Sequence, residues 1–440
     1  MNSTPVQDRA EPDTKSARSV VIVSAVDPYP ADSGKKVVLS GFVDYWLDRL
    51  GEEDVHYVLV RPGPRPAPEK PSHRFPGVLH EIVSPSTADQ LRALVTGTMT
   101  GRASIQESML KSSRVRRELR GLLATIDADV EIYDTVRLGQ YAKSMVSRVG
   151  RRRVIYLDDL FSQRYRVMLT AAQKYGDVLV NPLGAFGAMI PAVLRRPVNN
   201  PMVQRTLLRV ESHLVGRAER AATRDFDRCL LVNDGETRWL SKETGAENVR
   251  AVPPLIRTTS GVARSYDGRP EFVFLGLLSL PHNDDGIRWF LDHAMRPLLA
   301  LRPEAKLRIV GREATAALQQ SAARFPGSVT LEGYVPDLDA LLTHTAALLT
   351  PLRFGSGVKI KPIEAMARGV PVVSTGFGVD GIVDGPDQGV VLVDDIDAYA
   401  PALLELMEVS RNVELSDQAR THFESTFSKT VVFDSYDDAF

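Results

Sequence analysis

A single cysteine, Cys229, stands in 440 residues. One thiol cannot close an internal disulfide or build a cysteine-based metal site. Inside the apolar run Cys229–Val232 it reads as a small buried hydrophobe, and a reducing, cytoplasmic setting is the simplest expectation. The eight histidines are scattered along the chain, so neither a metal nor a cofactor is expected. Long apolar runs are missing too. The longest uncharged stretch, Val178–Leu194, is broken by Asn181, Pro182, several glycines and Pro191, whereas a membrane span needs about 20 apolar residues. Met1–Ser19 mixes both charge signs without an apolar centre. That excludes a signal peptide and reads as a disordered tail.

What is present suits a soluble globular chain: 43% hydrophobic and 25% charged residues, with a length that exceeds one ordinary core and suits two domains. The net charge of −1 hides an asymmetry. Through Arg257 there are 38 basic and 30 acidic residues, a balance of +8; the remainder holds 16 and 25, a balance of −9. A basic first half is suited to an anionic partner such as a membrane surface or a lipid phosphate. The basic helix expected at Arg114–Leu123 has no interleaved aromatics, so nucleic-acid binding is not expected.

Short β-branched runs alternate with amphipathic stretches. Val20–Val23, Val55–Val60, Val130–Tyr133, Val154–Leu157 and Cys229–Val232 read as buried parallel strands. Val37–Leu50 and Pro201–Arg224 carry helical spacing. Arg61–Pro76 is a proline-rich loop. After a polar linker at 257–270 the alternation restarts, with strands at Phe272–Leu275, Leu307–Val310, Val329–Leu331, Ala347–Leu352, Val372–Thr375 and Val390–Val393, and helices at Ile287–Leu301 and Pro362–Arg368. The pattern predicts an α/β chain of two Rossmann-like domains, 20–256 and 271–425, with parallel sheets facing across a cleft, and a segment 426–440 crossing back to the first domain.

The stretch Pro351-Leu-Arg-Phe-Gly-Ser-Gly-Val-Lys-Ile-Lys-Pro-Ile-Glu-Ala-Met-Ala-Arg-Gly-Val-Pro-Val-Val-Ser-Thr375 is the most informative. A glycine-containing loop runs from a strand into a helix N-terminus, with Pro362 suited to the first helical position. Free backbone N–H groups there, beside Lys359 and Lys361, make a site for an anion such as a diphosphate. Glu364 would repel phosphate and is better placed to accept hydrogen bonds from ribose hydroxyls.

Glu364-Ala-Met-Ala-Arg-Gly-Val-Pro-Val-Val373 resembles the donor signature of the retaining GT-B glycosyltransferases of family four, the glycosyl transferases group 1. A first glutamate that the family uses to hold the sugar would fall at 356, where this chain has Ser356. Gly355-Ser-Gly-Val-Lys-Ile-Lys361 resembles the glycine-lysine loop of a recurring variant. The resemblance implies Lys359, with Gly355, Ser356, Gly357, Val358 and Lys361, on the diphosphate, and Glu364 on the ribose. Phe272-Val-Phe-Leu-Gly276 matches the start of the family's second domain, but Pro281-His-Asn-Asp-Asp-Gly286 replaces a basic pair. Gly276, Asn283, Tyr334, Val335 and Arg353 are expected to border the donor. In the first half Gly34 of Ser33-Gly-Lys-Lys36 resembles the loop that faces the donor phosphate. Asp158, Asp159, Asp134 and Arg137 follow strands; Asp158 and Arg137 are expected in the catalytic cleft.

Two motifs are rejected. Gly34-Lys35 lacks both the earlier glycine and the following Ser or Thr of a P-loop, Tyr29 and Lys36 standing there. Gly376-Phe-Gly-Val-Asp-Gly381 matches G-x-G-x-x-G, yet Gly385-Pro386 leaves no room for the helix a dinucleotide site requires; Gly378 is instead expected near the donor sugar. His282 reads as a loop histidine. The expectation is transfer of a sugar from a nucleoside-diphosphate donor to a hydroxyl acceptor, with retention and without a metal. Gly176–Arg196 reads either as a buried helical pair, the reading preferred, or as a surface that would meet a lipid-linked acceptor at a membrane. The alternatives are a non-catalytic sugar- or lipid-binding subunit of a polysaccharide assembly complex, and a sugar-nucleotide epimerase.

Overall fold

A computed structural model describes residues 17–61, 75–145, 148–175, 201–257 and 264–440. Residues 1–16 of the tail, most of the proline-rich loop, the stretch expected to meet a membrane and residues 258–263 of the linker lie outside the described residues.

Two wholly parallel sheets organise the chain. The first contains β1 (Val20–Ser24), β2 (Val55–Arg61), β3 (Val78–Val83), β4 (Val130–Asp134), β5 (Arg152–Asp158), β6 (Arg228–Leu231) and β7 (Val249–Ala251), in the order β3-β2-β1-β4-β5-β6-β7. The second contains β8 (Glu271–Leu275), β9 (Lys306–Val310), β10 (Val329–Gly333), β11 (Ala347–Thr350), β12 (Val372–Ser374) and β13 (Val390–Leu392), in the order β10-β9-β8-β11-β12-β13. Both orders reverse beside their first strand, which places each crevice at the carboxyl ends of the central strands. Every residue of β1 is buried, as continuous apolar runs between two helical layers require. β3 was not foreseen: Val78-Leu-His-Glu-Ile-Val83 is a half-exposed edge strand whose polar residues mask the pattern. The single helix expected at Ile287–Leu301 is two, Pro281–His293 and Met295–Leu301, parted at Ala294.

The last two helices join the halves. Ser428, in an extended conformation, separates helix Val409–Phe427 on the second domain from helix Lys429–Ala439. The latter lays Phe433, Tyr436 and Phe440 against Phe42, Tyr45 and Trp46 of helix Gly34–Leu50. The Phe42 ring meets Tyr436 edge-on at 5.2 Å and Phe440 at 5.1 Å, an arrangement favoured by the ring quadrupoles. Tyr436 donates its hydroxyl to the Pro253 carbonyl at 2.9 Å. A second apolar seam sets Val37 and Ile256 of the first domain against Ile360, Ile363, Met366, Phe423 and Phe427. Among the described residues no helix is long and apolar enough to cross a membrane.

Candidate active site

The loop after β11 is shaped by its own lysine. Gly355 and Gly357 take φ of +148° and +71°, the latter in the left-handed region that favours glycine. Lys359 Nζ turns back and donates to the carbonyls of Ser356, at 2.8 Å, and Gly357, at 2.6 Å. Burial pushes its amine down to about 8, against the opposing pull of Asp380 and Asp159. With these carbonyls drawn inward, the amides of Ser356, Gly357 and Val358 meet no acceptor among the described residues. The following helix is Ile360–Met366, two residues earlier than expected, so Pro362 is its third residue. Its missing N–H still costs nothing there, because the first four helical N–H groups have no partner within the helix. Glu364 consequently sits past the first turn, and Lys361 Nζ holds its Oε2 at 2.7 Å. Gly369, at φ +66°, ends the turn after this helix.

The first domain brings a chain of charges to the opposite wall. Ser24 donates to Asp134 at 2.7 Å, and Lys35 bridges Asp134 at 2.7 Å and Asp158 at 3.7 Å. Tyr156 donates to the other oxygen of Asp158 at 2.7 Å. Burial raises the Asp158 carboxyl above the usual carboxylate range, with Lys35 opposing. Asp158 has φ +72°, uncommon outside glycine and often a mark of functional strain. Its neighbour Asp159 accepts from Arg164 Nε at 2.7 Å and from Ser356 Oγ at 2.8 Å, so a contact from each domain meets on one carboxylate. Glu236 lies beside them, accepting from the Leu160 amide at 3.0 Å. Burial and the nearby Asp159 push its carboxyl up to about 8. Gly34 opens its helix close to Ile360: an added Cβ would lie 3.3 Å from that side chain. Arg137 lies beside this chain, where burial lowers its guanidinium and Asp134 and Asp158 oppose that lowering; it donates to Gln106 at 2.6 Å, with its guanidinium 5.0 Å from the Phe161 ring centre.

The remaining expected residues fall into two groups. Tyr334, 64% exposed, stacks under Arg312 at 4.9 Å on the rim, and Val335 packs into the seam below it. Arg312 had no sequence signal; it also reaches Asp32 of the first domain at 3.6 Å. Arg353 pairs with Asp285 at 2.8 Å and lies 4.3 Å from the Tyr175 ring centre. The other group shapes backbone. Asn283 donates to the Leu277 carbonyl at 2.9 Å and packs on Gly276. Gly378 is buried, and an added Cβ would lie 2.5 Å from the Thr350 carbonyl. Its glycine serves the close packing of a short turn onto β11. No helix opens at Gly381, as the rejection of the dinucleotide motif anticipated. His282 is in the first turn of helix Pro281–His293, and burial together with Lys359 and Arg164 pushes its imidazole down to about 3. It therefore stays neutral.

Residues 269–409 match the family Glycosyl transferases group 1. The second domain is a group 1 glycosyltransferase domain. Among curated proteins, a phosphatidyl-myo-inositol mannosyltransferase of Mycolicibacterium smegmatis is 27% identical over 210 residues, 46% of this chain and 52% of that protein. The chain spans about half the length of the curated relatives it matches, 44% and 52%. Among solved structures, a sucrose-phosphate synthase from Thermosynechococcus elongatus superposes with a TM-score of 0.64 at 14% identity, covering 96% of this chain and 98% of the other. HepE of Anabaena, in complex with UDP and glucose, superposes with a TM-score of 0.58 at 12% identity and the same coverage. These identities speak to the fold, which is GT-B across both domains.

Between the glycosyltransferase domain and the first domain lies a cleft of about 860 Å³. Gly355, Ser356, Arg353 and Phe377 line one side of it and Gln163, Glu236 and Trp239 the other. Gly355 and Ser356 of the loop line this cleft, while Lys361 and Glu364 lie outside its lining. Asn233 Nδ2 donates across the gap to Asp380 at 2.9 Å. Among the described residues no cluster of three or more His, Cys, Asp or Glu side chains could hold a metal ion.

Proposed function

We propose that the protein transfers a sugar from a nucleoside-diphosphate-sugar to a hydroxyl acceptor, with retention at the anomeric carbon, in glycoconjugate or polysaccharide assembly. The observation that carries this reading is the loop 355–359, whose three unpaired amides lead directly to the Lys361–Glu364 pair. The diphosphate accepts from those amides and from Lys361. Its arrival draws Lys361 off Glu364, which frees that carboxylate for the ribose hydroxyls. Lys359 contributes by holding the loop carbonyls away from the phosphates. Gly276, Asn283, Tyr334 and Val335 border the nucleoside, and Gly34 faces the departing phosphate. Amides and Lys361 disperse the charge that develops on the leaving group, without a metal. The leaving phosphate takes the acceptor proton as the glycosidic bond breaks, with Asp158, beside Lys35, as the alternative base. The acceptor hydroxyl enters through the cleft lined by Ser356 and Trp239, and the closed domains exclude water from the competing hydrolysis. Retention follows from the resemblance of the Glu364–Val373 signature.

Thermal-shift measurements with UDP, GDP and ADP, and with their glucose and mannose conjugates, test the reading, since a ligand that binds only the folded state raises its stability. One nucleoside diphosphate should stabilise the protein selectively. No response to any of them at millimolar concentration sinks the proposal. Ser356 in place of an acid favours a second reading, a binding subunit without turnover. Stabilisation by a sugar nucleotide, without release of its diphosphate in the presence of saccharide acceptors, would support that reading.

A further inference from the structure

The acid missing from the donor motif is present in space. Ser356 Oγ donates to Asp159 at 2.8 Å across 197 residues of sequence, and Arg164 Nε reaches the same hydroxyl at 3.1 Å. Asp159 is only 2% exposed and is held by Arg164 as well. The left-handed turn at Asp158 aims two consecutive carboxylates at different partners: Asp158 faces Lys35 in its own domain, and Asp159 faces the donor loop of the other. A lone surface ion pair would contribute little. Here the carboxylate is buried, and its hydrogen bond to Ser356 crosses between the domains and ends on a loop residue that lines the cleft. Arg164 has further N–H donors on its fork, and Ser356 retains an acceptor lone pair.

We infer that Asp159 is the positioning acid of the donor-sugar subsite, supplied by the first domain, and that it holds Ser356 and Arg164 together to receive the hydroxyls of the transferred sugar. The inference rests on the donor reading above. It divides recognition between the domains. The amides and Lys361 that meet the diphosphate, and Glu364 that meets the ribose, belong to the second domain, with Gly34 approaching the phosphate from the first, whereas the sugar contacts exist only when the two domains are closed.

The test separates these contributions. Isothermal titration compares UDP, GDP and ADP with UDP-glucose, GDP-mannose and ADP-glucose in wild type, Asp159→Asn, Ser356→Ala, Ser356→Glu and the exchanged double variant Asp159→Ser/Ser356→Glu. Ser356→Ala removes only a hydroxyl and guards against a folding defect in the aspartate variant. The wild type should bind one sugar nucleotide more tightly than its bare diphosphate. The single variants should keep the bare-diphosphate affinity within about twofold while losing about tenfold on the sugar nucleotide, the scale of one hydrogen bond to a charged group. The exchanged variant should recover most of that loss, because Arg164 then pairs with the new glutamate. Single variants that keep the sugar increment overturn the inference. So does a parallel loss of diphosphate and sugar-nucleotide affinity that the exchange does not repair, since that marks a purely structural bridge. A wild type that binds no nucleoside diphosphate at all overturns the donor reading itself.

Discussion

The two ends of the donor loop are held by opposite strategies. At one end Lys361 and Glu364 lie three residues apart and pair within a single helix. At the other, Ser356 is held by Asp159 and Arg164 from the facing domain. The first arrangement survives any movement of the domains. The second dissolves when they part. On the reading proposed above, nucleotide capture belongs to one domain and sugar placement to the closed pair, a division suited to an enzyme that must bind its donor before excluding water.

The largest effect should come from breaking the tie that holds the domains together. Removing Lys429–Phe440 strips Phe433, Tyr436 and Phe440 from the aromatic cluster, and each large buried ring contributes about 3–5 kcal/mol. Hydrogen exchange should then show the first domain opening while the second stays protected. Equal loss of protection in both halves would contradict the division. Next in size, Lys361→Ala should weaken binding of the preferred nucleoside diphosphate about tenfold or more, measured by titration calorimetry, with little change in thermal stability.

A third prediction probes the first domain by pH. Burial pushes the Glu219 carboxyl up to about 7, partly offset by hydrogen bonds from Ser162, and Glu211 is pushed to about 7 in the same way. A folded-state value above the unfolded one means the native state holds the proton more tightly. Its contribution is fully present below about pH 4.5 and is lost as pH rises through about 7. Stability should thus fall between pH 5 and pH 8, and Glu219→Gln should flatten that fall by on the order of 2 kcal/mol, read from urea unfolding at each pH. An unchanged slope would show that Glu219 does not carry it. The smallest effect concerns metals. On the proposed reading amides and Lys361 meet the diphosphate charge, so EDTA should leave the transfer rate within about twofold, and a large loss restored by magnesium would show that the loop does not suffice.

Much of the second domain was legible because its signals are local. Its strands are short β-branched runs, and the loop, helix and next strand of the donor motif follow one another within Pro351–Thr375. The boundaries were less so: the donor helix begins at Ile360 because the inward turn of Lys359 ends the loop early, and no propensity encodes that turn. The packing of Gly378 on Thr350 was not legible, because a glycine needed for close packing looks the same in sequence as one that approaches a ligand. The edge strand Val78–Val83 and the short helices Thr87–Ala93 and Ile105–Leu110 were hidden, since half-exposed short elements carry weak periodicity.

Sequence alone determined that this chain builds two parallel-sheet domains and that in one of them a glycine-containing loop leads to a lysine and a glutamate. Those features depend on residues within a few turns of one another. The tertiary structure decided which carboxylate faces Ser356, which lysine joins Asp134 to Asp158, and where the final aromatic helix docks. Each of those contacts joins residues from distant parts of the chain. Which of them meet depends on how two twisted sheets come to face each other, and on the single extended residue, Ser428, that lets the chain return.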